Sequence, residues 1–358
     1  MNAISPLISF SPSNILARPT IETGKNSRRK NWVGVMGGYT VITTMKNEGA
    51  FLLEWVAHHK ALGFDHLLIC TNDCEDPTSR MVLRLQEMGL ARHHATTPWA
   101  TTSIQRSALK QARRYDEVRE ADWLYVCDAD EFLVVKHGDG SARALVAAAN
   151  ADAEVISVPW KVFGPDGQRA YEDRPVTEQF RRAMPDDLGS GIYAKSLFQG
   201  LENTHRIGIH GPVPRRDLGR DLRREMPGGI RLGPKVNPMF ALRDYRVAQV
   251  NHYALRSRDS FLVKRDRGRV NHSNQTMEAD YWDRFDVNLS PCDAIRRYDL
   301  AVAAWRARLL EDAVLDGLHD RAVKWHRAKI AELKAREDYA PLLAALEERL
   351  NACASSRS

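Results

Sequence analysis

The hydrophobic and polar positions change period several times along the chain, and each change marks an element. Residues 39–45, YTVITTM, are β-branched and nearly continuous in apolar character, which predicts a buried strand. In the following KNEGAFLLEWVAHHKALG, Phe51, Leu52, Trp55, Val56 and His59 recur at helical spacing until Gly63 stops the run. DHLLICTND (65–73) predicts a second strand, and DPTSRMVLRLQEMG a second helix with Asp76 as N-cap and Pro77 in its first turn. A helical stretch at 102–120 then leads into another strand, WLYVCDAD. Alternating strands and helices predict an α/β fold: a mostly parallel sheet flanked by helices on both faces.

After residue 151 the alternation loosens. AEVISVPWKVFG and RVAQVNHYALRS (246–257) keep strand character, while PDGQRAYEDRP (165–175) has the turn formers and charge of a mobile surface loop. GPVPRRDLGRDLRREMPGG predicts an exposed excursion, and from about Asp293 to Leu350 the pattern is helical and dense in charge. The chain thus divides into a flexible N-terminal extension (1–38), an α/β domain (39–290) and a helical C-terminal region (291–358).

At 358 residues and 43% hydrophobic, the chain can bury a substantial core. No apolar run approaches the roughly 20 residues of a membrane span, and the first residues lack the features of a secretory signal. Five cysteines form no disulfide framework, and Cys70 and Cys74 have no second pair to complete a zinc site, so a cytoplasmic setting is expected. The net charge of +6 favours an anionic partner. No nucleic-acid module is recognisable, which argues against nucleic acid. The basic, amphipathic C-terminal helices suit packing onto the core, or peripheral contact with a membrane or a second subunit.

The chemistry concentrates where WLYVCDAD ends. Asp128, Asp130 and Glu131 crowd one point, and like charges so close need an offsetting cation. In an extended chain Asp128 and Asp130 share a face with Ala129 turned away, and two such carboxylates suit a hard dication, Mn²⁺ or Mg²⁺. Asn47, Asn72 and Asp73 also sit at carboxyl ends of strands, where ligands collect in open α/β sheets. Downstream, NHYALRSRDSFLVKRDRGRVN offers His252 as a neutral imidazole, and Lys264, Arg267 and Arg269 as cations for phosphate oxygens. Trp55 reads as core, and Trp160 equally as core or as a platform for a sugar ring. His58 and His59 point apart and make a poor metal pair. His205 and His210 read as structural or as facing the same cleft.

TTMKNEGAFLLEWVAHHKALGFDHLLICTNDCEDPTSRMVLRLQEMG, WLYVCDADEFL, VPWKVFG and HYALRSRDSFLVKRDRG, taken in order, resemble glycosyltransferase family 2-like proteins with the GT-A nucleotide-diphospho-sugar transferase fold, over roughly residues 39–270. The resemblance implies a Rossmann-like sheet in which Lys46, Asn47 and Glu48 border the nucleotide pocket and Asn72 and Asp73 approach the nucleoside. It implies that the D-x-D pair, Asp128 and Asp130, holds manganese or magnesium on the diphosphate with His252 as a further ligand. The activity implied is transfer of a sugar, with inversion, from a nucleoside-diphosphate sugar to a saccharide or lipid-linked acceptor, in surface polysaccharide synthesis. Lys264 and Arg267 would stabilise the departing diphosphate, and the acceptor hydroxyl needs a carboxylate base. Asp173 is the first candidate, with Glu172 and Asp166 beside it. The same acids would also serve a nucleotidyltransferase or phosphoesterase, and the fold alone would serve a noncatalytic carbohydrate- or nucleotide-binding protein.

Overall fold

The predicted alternation is present in the computed structural model, which describes residues 37–99, 102–186, 191–268 and 277–355. Apart from Gly37 and Gly38, the predicted N-terminal extension lies outside the described residues, as does Arg269. Six strands and three helices build the first half: β1 (Tyr39–Met45), α1 (Gly49–Ala61), β2 (His66–Thr71), α2 (Thr78–Glu87), β3 (Arg92–Ala95), α3 (Ile104–Ala112), β4 (Trp123–Val126), β5 (Glu131–Val135) and β6 (Val155–Val162), with short helical turns between some of them. Strands β4, β1, β2 and β3 lie side by side and parallel. Every residue of β1 is buried, as expected of a strand covered on both faces.

The second half makes the sheet mixed. Strand Ile192–Gln199 inserts antiparallel between β4 and β6. Strand Ala248–His252 runs parallel to β6 and antiparallel to β5, which carries His252 opposite Glu131. Part of the expected exposed excursion is ordered into the sheet edge, because Arg224–Met226 pairs parallel with β6 and satisfies its backbone groups there. The loop 165–175 is tied down as well: the carbonyls of Gln168 and Arg169 accept from the amides of Arg258 and Asp259, and Tyr171 packs against Phe51 and His326.

The corner between β1 and α1 is built by short polar side chains. Asn47 adopts a left-handed conformation (φ 53°), and its Oδ1 accepts from the amides of Glu75 (2.8 Å) and Asp76 (3.4 Å). Asp76 in turn accepts from Thr78 N at the start of α2 and from Gly49 N at the start of α1, each at 2.9 Å. A side chain at Gly49 would bring a Cβ within 2.8 Å of both Asp76 Oδ2 and Ala322 Cβ, so only glycine lets the two helices and the corner meet.

Helix α1 is buried nearly all round, because helices Asp299–Leu310 and Ala313–Ala335 cover the side that the sheet does not. Ile295, Tyr298, Leu309, Leu315 and Leu318 join the same core as β1 and β4. His58 and His59 sit inside it, separately engaged: His58 Nε2 contacts Leu133 O at 2.8 Å, and His59 Nδ1 contacts Trp55 O at 2.9 Å. Among the described residues no helix is long and apolar enough to cross a membrane. Cys70, Cys74, Cys127 and Cys292 are free thiols.

Burial pushes His58 down to about 4, whereas an unfolded imidazole titrates near 6.5. The unfolded chain therefore binds the extra proton first, and stability present above pH 6.5 is lost as the pH falls towards 4. The melting temperature should drop across that window, and more shallowly in His58→Gln, which keeps a donor for Leu133 O. Parallel Tm–pH curves for the two proteins would show that His58 contributes nothing.

Candidate active site

The two aspartates that the sequence brought to attention do not occupy a strand. β4 ends at Val126 and β5 starts at Glu131, so Asp128 and Asp130 lie in the turn between them rather than on one face of an extended segment. Polar competition closes this turn. Glu131 N donates to Asp128 O (3.1 Å), Glu131 Oε2 accepts from Asp128 N (2.9 Å), and Trp55 Nε1 donates to Asp128 O (3.3 Å). Trp55 is core, as its spacing predicts, and its one polar atom fixes the turn.

Both carboxylates still reach one cleft of about 260 Å³, shared by Glu48, Gln105, His252, Lys264 and Arg267. Asp128 accepts from Gln105 Nε2 (2.6 Å) through one oxygen and from Lys195 Nζ (3.0 Å) through the other. Asp130 accepts from Lys264 Nζ (2.6 Å) and lies 3.8 Å from His252 Nε2. Lys195 also lies 3.3 Å from Glu131, and its side chain is fully buried. The crowding of acids at this point is thus offset by two lysines, Lys195 buried and Lys264 half-buried.

The charge states follow from these partners. Burial would raise Asp130, but Lys264, with His252 and Arg256, holds it well below the usual carboxylate range. Asp128 is lowered in the same way, burial being outweighed by Lys195. Glu131 goes the other way: burial, reinforced by its two acidic neighbours and only partly offset by Lys195, pushes it up to about 8. Burial also brings His252 and His210 down to about 4, so both imidazoles are neutral at pH 7.

A second set of charges holds the opposite wall. Glu48 is buried between Arg256 Nη1 (2.8 Å) and Arg267, and Arg267 also donates to Lys46 O (2.8 Å). Arg256 takes a left-handed backbone (φ 56°), an expensive conformation for a residue with a Cβ, at the position that delivers its guanidinium to Glu48 and Ala129 O. Trp160, Tyr193 and His210 line the far side, with the Trp160 ring centroid 4.2 Å from that of His252.

The structure therefore brings together Glu48, Asp128, Asp130, His252, Lys264 and Arg267 of the residues singled out by sequence. Lys46 contributes its carbonyl, and Asn47 is consumed by the corner described above. Asn72 is buried beside Asp73, which is exposed, and neither lines the cleft. Asp166, Glu172 and Asp173 do not line it either; Glu172 pairs with Arg174 (3.1 Å), and Asp173 lies 3.5 Å from His319. Of the two doubtful histidines, His210 faces the cleft and His205 does not. Sequence reasoning missed Lys195, Gln105 and Arg256. Gln105 and Lys195 sit inside runs that read simply as a helix and a short apolar segment, and nothing local distinguishes them.

Among the described residues, no three His, Cys, Asp or Glu side chains converge to cage a metal ion. An open site of the magnesium or manganese kind needs only one or two carboxylates beside the phosphates of a substrate. Asp128 and Asp130, ionised, and His252, neutral and with its buried Nδ1 unpartnered among the described residues, have the donor chemistry for such an ion.

No protein-family model matches the chain. It is similar to proteins named as glycosyltransferase family 92. One from Ricinus communis is 27% identical over 172 residues, covering 46% of this chain and 30% of that protein. Another, from Oryza sativa subsp. japonica, is 23% identical over 203 residues, covering 54% and 33%. The chain thus spans about a third of the length of these curated relatives. S. aureus TarS 1–349, solved in complex with UDP, overlaps it over 38% of each chain at 15% identity and a TM-score of 0.28, too loosely to bear on fold or function.

Lys195→Met would leave Asp128 and Glu131 without their buried cation. We expect a loss on the order of 3 kcal/mol in urea unfolding, part of which returns in the Asp128→Asn/Lys195→Met double variant. Undiminished stability of the single variant would contradict the neutralising role of Lys195.

Proposed function

We propose that the chain is a metal-dependent glycosyltransferase that moves a sugar from a nucleoside-diphosphate sugar to an acceptor hydroxyl. The observation that carries this reading is the joining, in one cleft, of ionised Asp128 and Asp130 and neutral His252 with the cations Lys264 and Arg267. Similarity to family 92 glycosyltransferases over about half of the chain supports it. In our reading the acceptor is a saccharide or lipid-linked hydroxyl, direct displacement inverts the anomeric centre, and the product is a surface polysaccharide made in the cytoplasm or at the inner face of the membrane.

The dication, Mn²⁺ or Mg²⁺, would be held by Asp128, Asp130 and His252, and it would supply charge neutralisation for the departing diphosphate. The chain's own groups do the remaining work. Lys264 and Arg267 present positive charge where negative charge accumulates on the leaving group, and Glu48 keeps Arg267 in place. Lys264 in the cleft and Lys195 behind Asp128 keep their protons, because their carboxylate partners raise them against the effect of burial. Trp160 and Tyr193 supply an aromatic wall on which the apolar face of a sugar can rest. Because Asp166, Glu172 and Asp173 stand outside the cleft, no proton-transfer step is assigned to them here.

With manganese, a UDP-sugar that binds should raise the melting temperature by mass action. Asp130→Asn should lower sugar transfer about 100-fold, the usual scale for removing one electrostatic group from such a site. Unchanged transfer by that variant would remove the centre of the proposal. Products separate the neighbouring readings: nucleoside diphosphate with a glycosylated acceptor supports transfer, pyrophosphate or inorganic phosphate points to nucleotidyl transfer or phosphoester hydrolysis, and tight donor binding without turnover points to a binding protein.

A further inference from the structure

Successive residues of a strand point to opposite faces of its sheet. On strand Ile192–Gln199, Lys195 turns towards the acids of the cleft, and its neighbour Ser196 lines a separate cavity of about 540 Å³. This volume lies in the range of roughly 300–1,000 Å³ typical of small-molecule sites. Its walls are unusual in composition. Pro212, Pro214, Pro234 and Pro238 contribute rigid rings with no amide donor, and Leu222 and Leu232 add aliphatic surface.

Three arginines border the same cavity, and two are committed elsewhere. Arg223 lies 3.5 Å from Asp152 and 3.6 Å from Glu154, while Arg231 pairs with Asp152 and lies 3.6 Å from Glu225. Arg224 differs. It donates to Val236 O (2.8 Å), and it has no carboxylate partner among the described residues although it is partly buried. Its guanidinium has five N–H donors, so most of them remain for a ligand.

We propose that this cavity is a binding site for a small amphipathic anion: an apolar, ring-sized body packed between the prolines and leucines, with one carboxylate, sulfonate or phosphate on Arg224. The apolar walls favour a hydrophobic body and the unpaired Arg224 an anion; of the two acids that also line the cavity, Asp152 is spent on Arg223 and Arg231, and Asp221 is exposed to solvent. The four prolines keep the walls in shape before the ligand arrives, so little ordering cost opposes binding. The nucleotide cleft takes no part, since the two sites share no lining residue.

The test uses the whole protein and two fluorescent probes of similar shape, 8-anilinonaphthalene-1-sulfonate and the uncharged N-phenyl-1-naphthylamine. The sulfonate should bind saturably at one site per chain, and UDP with manganese should not displace it. Arg224→Met should weaken the sulfonate about 10-fold and leave the uncharged probe unaffected. Gly233 lines the cavity and an added Cβ there would meet nothing within 4 Å, so Gly233→Trp starts without a clash with the backbone and should weaken both probes. Equal sulfonate affinity in wild type and Arg224→Met, or its displacement by UDP, would overturn the proposal.

Discussion

Carboxylates can be gathered in a protein interior only where fixed positive charge replaces the water they lose. Here that charge is Lys195, fully buried and in reach of both Asp128 and Glu131. It arrives on a strand that inserts antiparallel against β4, so the departure of the sheet from all-parallel order and the stability of the acidic turn have the same origin. With one lysine between the two acids, Asp128 is lowered, whereas Glu131, the more deeply buried, is raised. A single crowded sequence thus yields carboxyl groups shifted in opposite directions.

The same logic repeats on the other wall. Glu48 belongs to the β1–α1 corner, and Arg256 and Arg267 belong to the segment after the last central strand, some 200 residues later in the chain. Their ion pairs close the cleft between two distant parts of the sequence. Of the charged residues that line the cleft, Glu48, Asp128 and Asp130 stand against Lys264, Arg267 and Arg284, while Lys195 and Arg256 pair with the acids without lining it. These two further cations tip the local balance to positive, which suits the phosphate-bearing donor we propose.

Much of this architecture was legible in the sequence. The alternation of strands and helices from Tyr39 to Val126, apart from the short strand β3, and His252 at the end of its strand could be read from local pattern because each depends on neighbours within a few residues, whereas β5 was not foreseen. The extended geometry expected for Asp128 and Asp130 failed because a local bond to Glu131 and two tertiary contacts, from Trp55 and Lys195, shape that turn. Lys195 and Gln105 were invisible for a related reason: a lysine or glutamine announces nothing about its partner when that partner lies 67 or 23 residues away. The segment 211–229 shows the converse, since a composition rich in proline, glycine and arginine reads as exposed, yet part of it completes the sheet edge.

Asp76 ties the first turns of α1 and α2 to one carboxylate, and Asn47 locks the intervening backbone to the same residue. Two levers pinned through one rivet cannot swing independently. The corner that carries Glu48 therefore shifts with both helices or not at all, a single anvil on that side of the cleft.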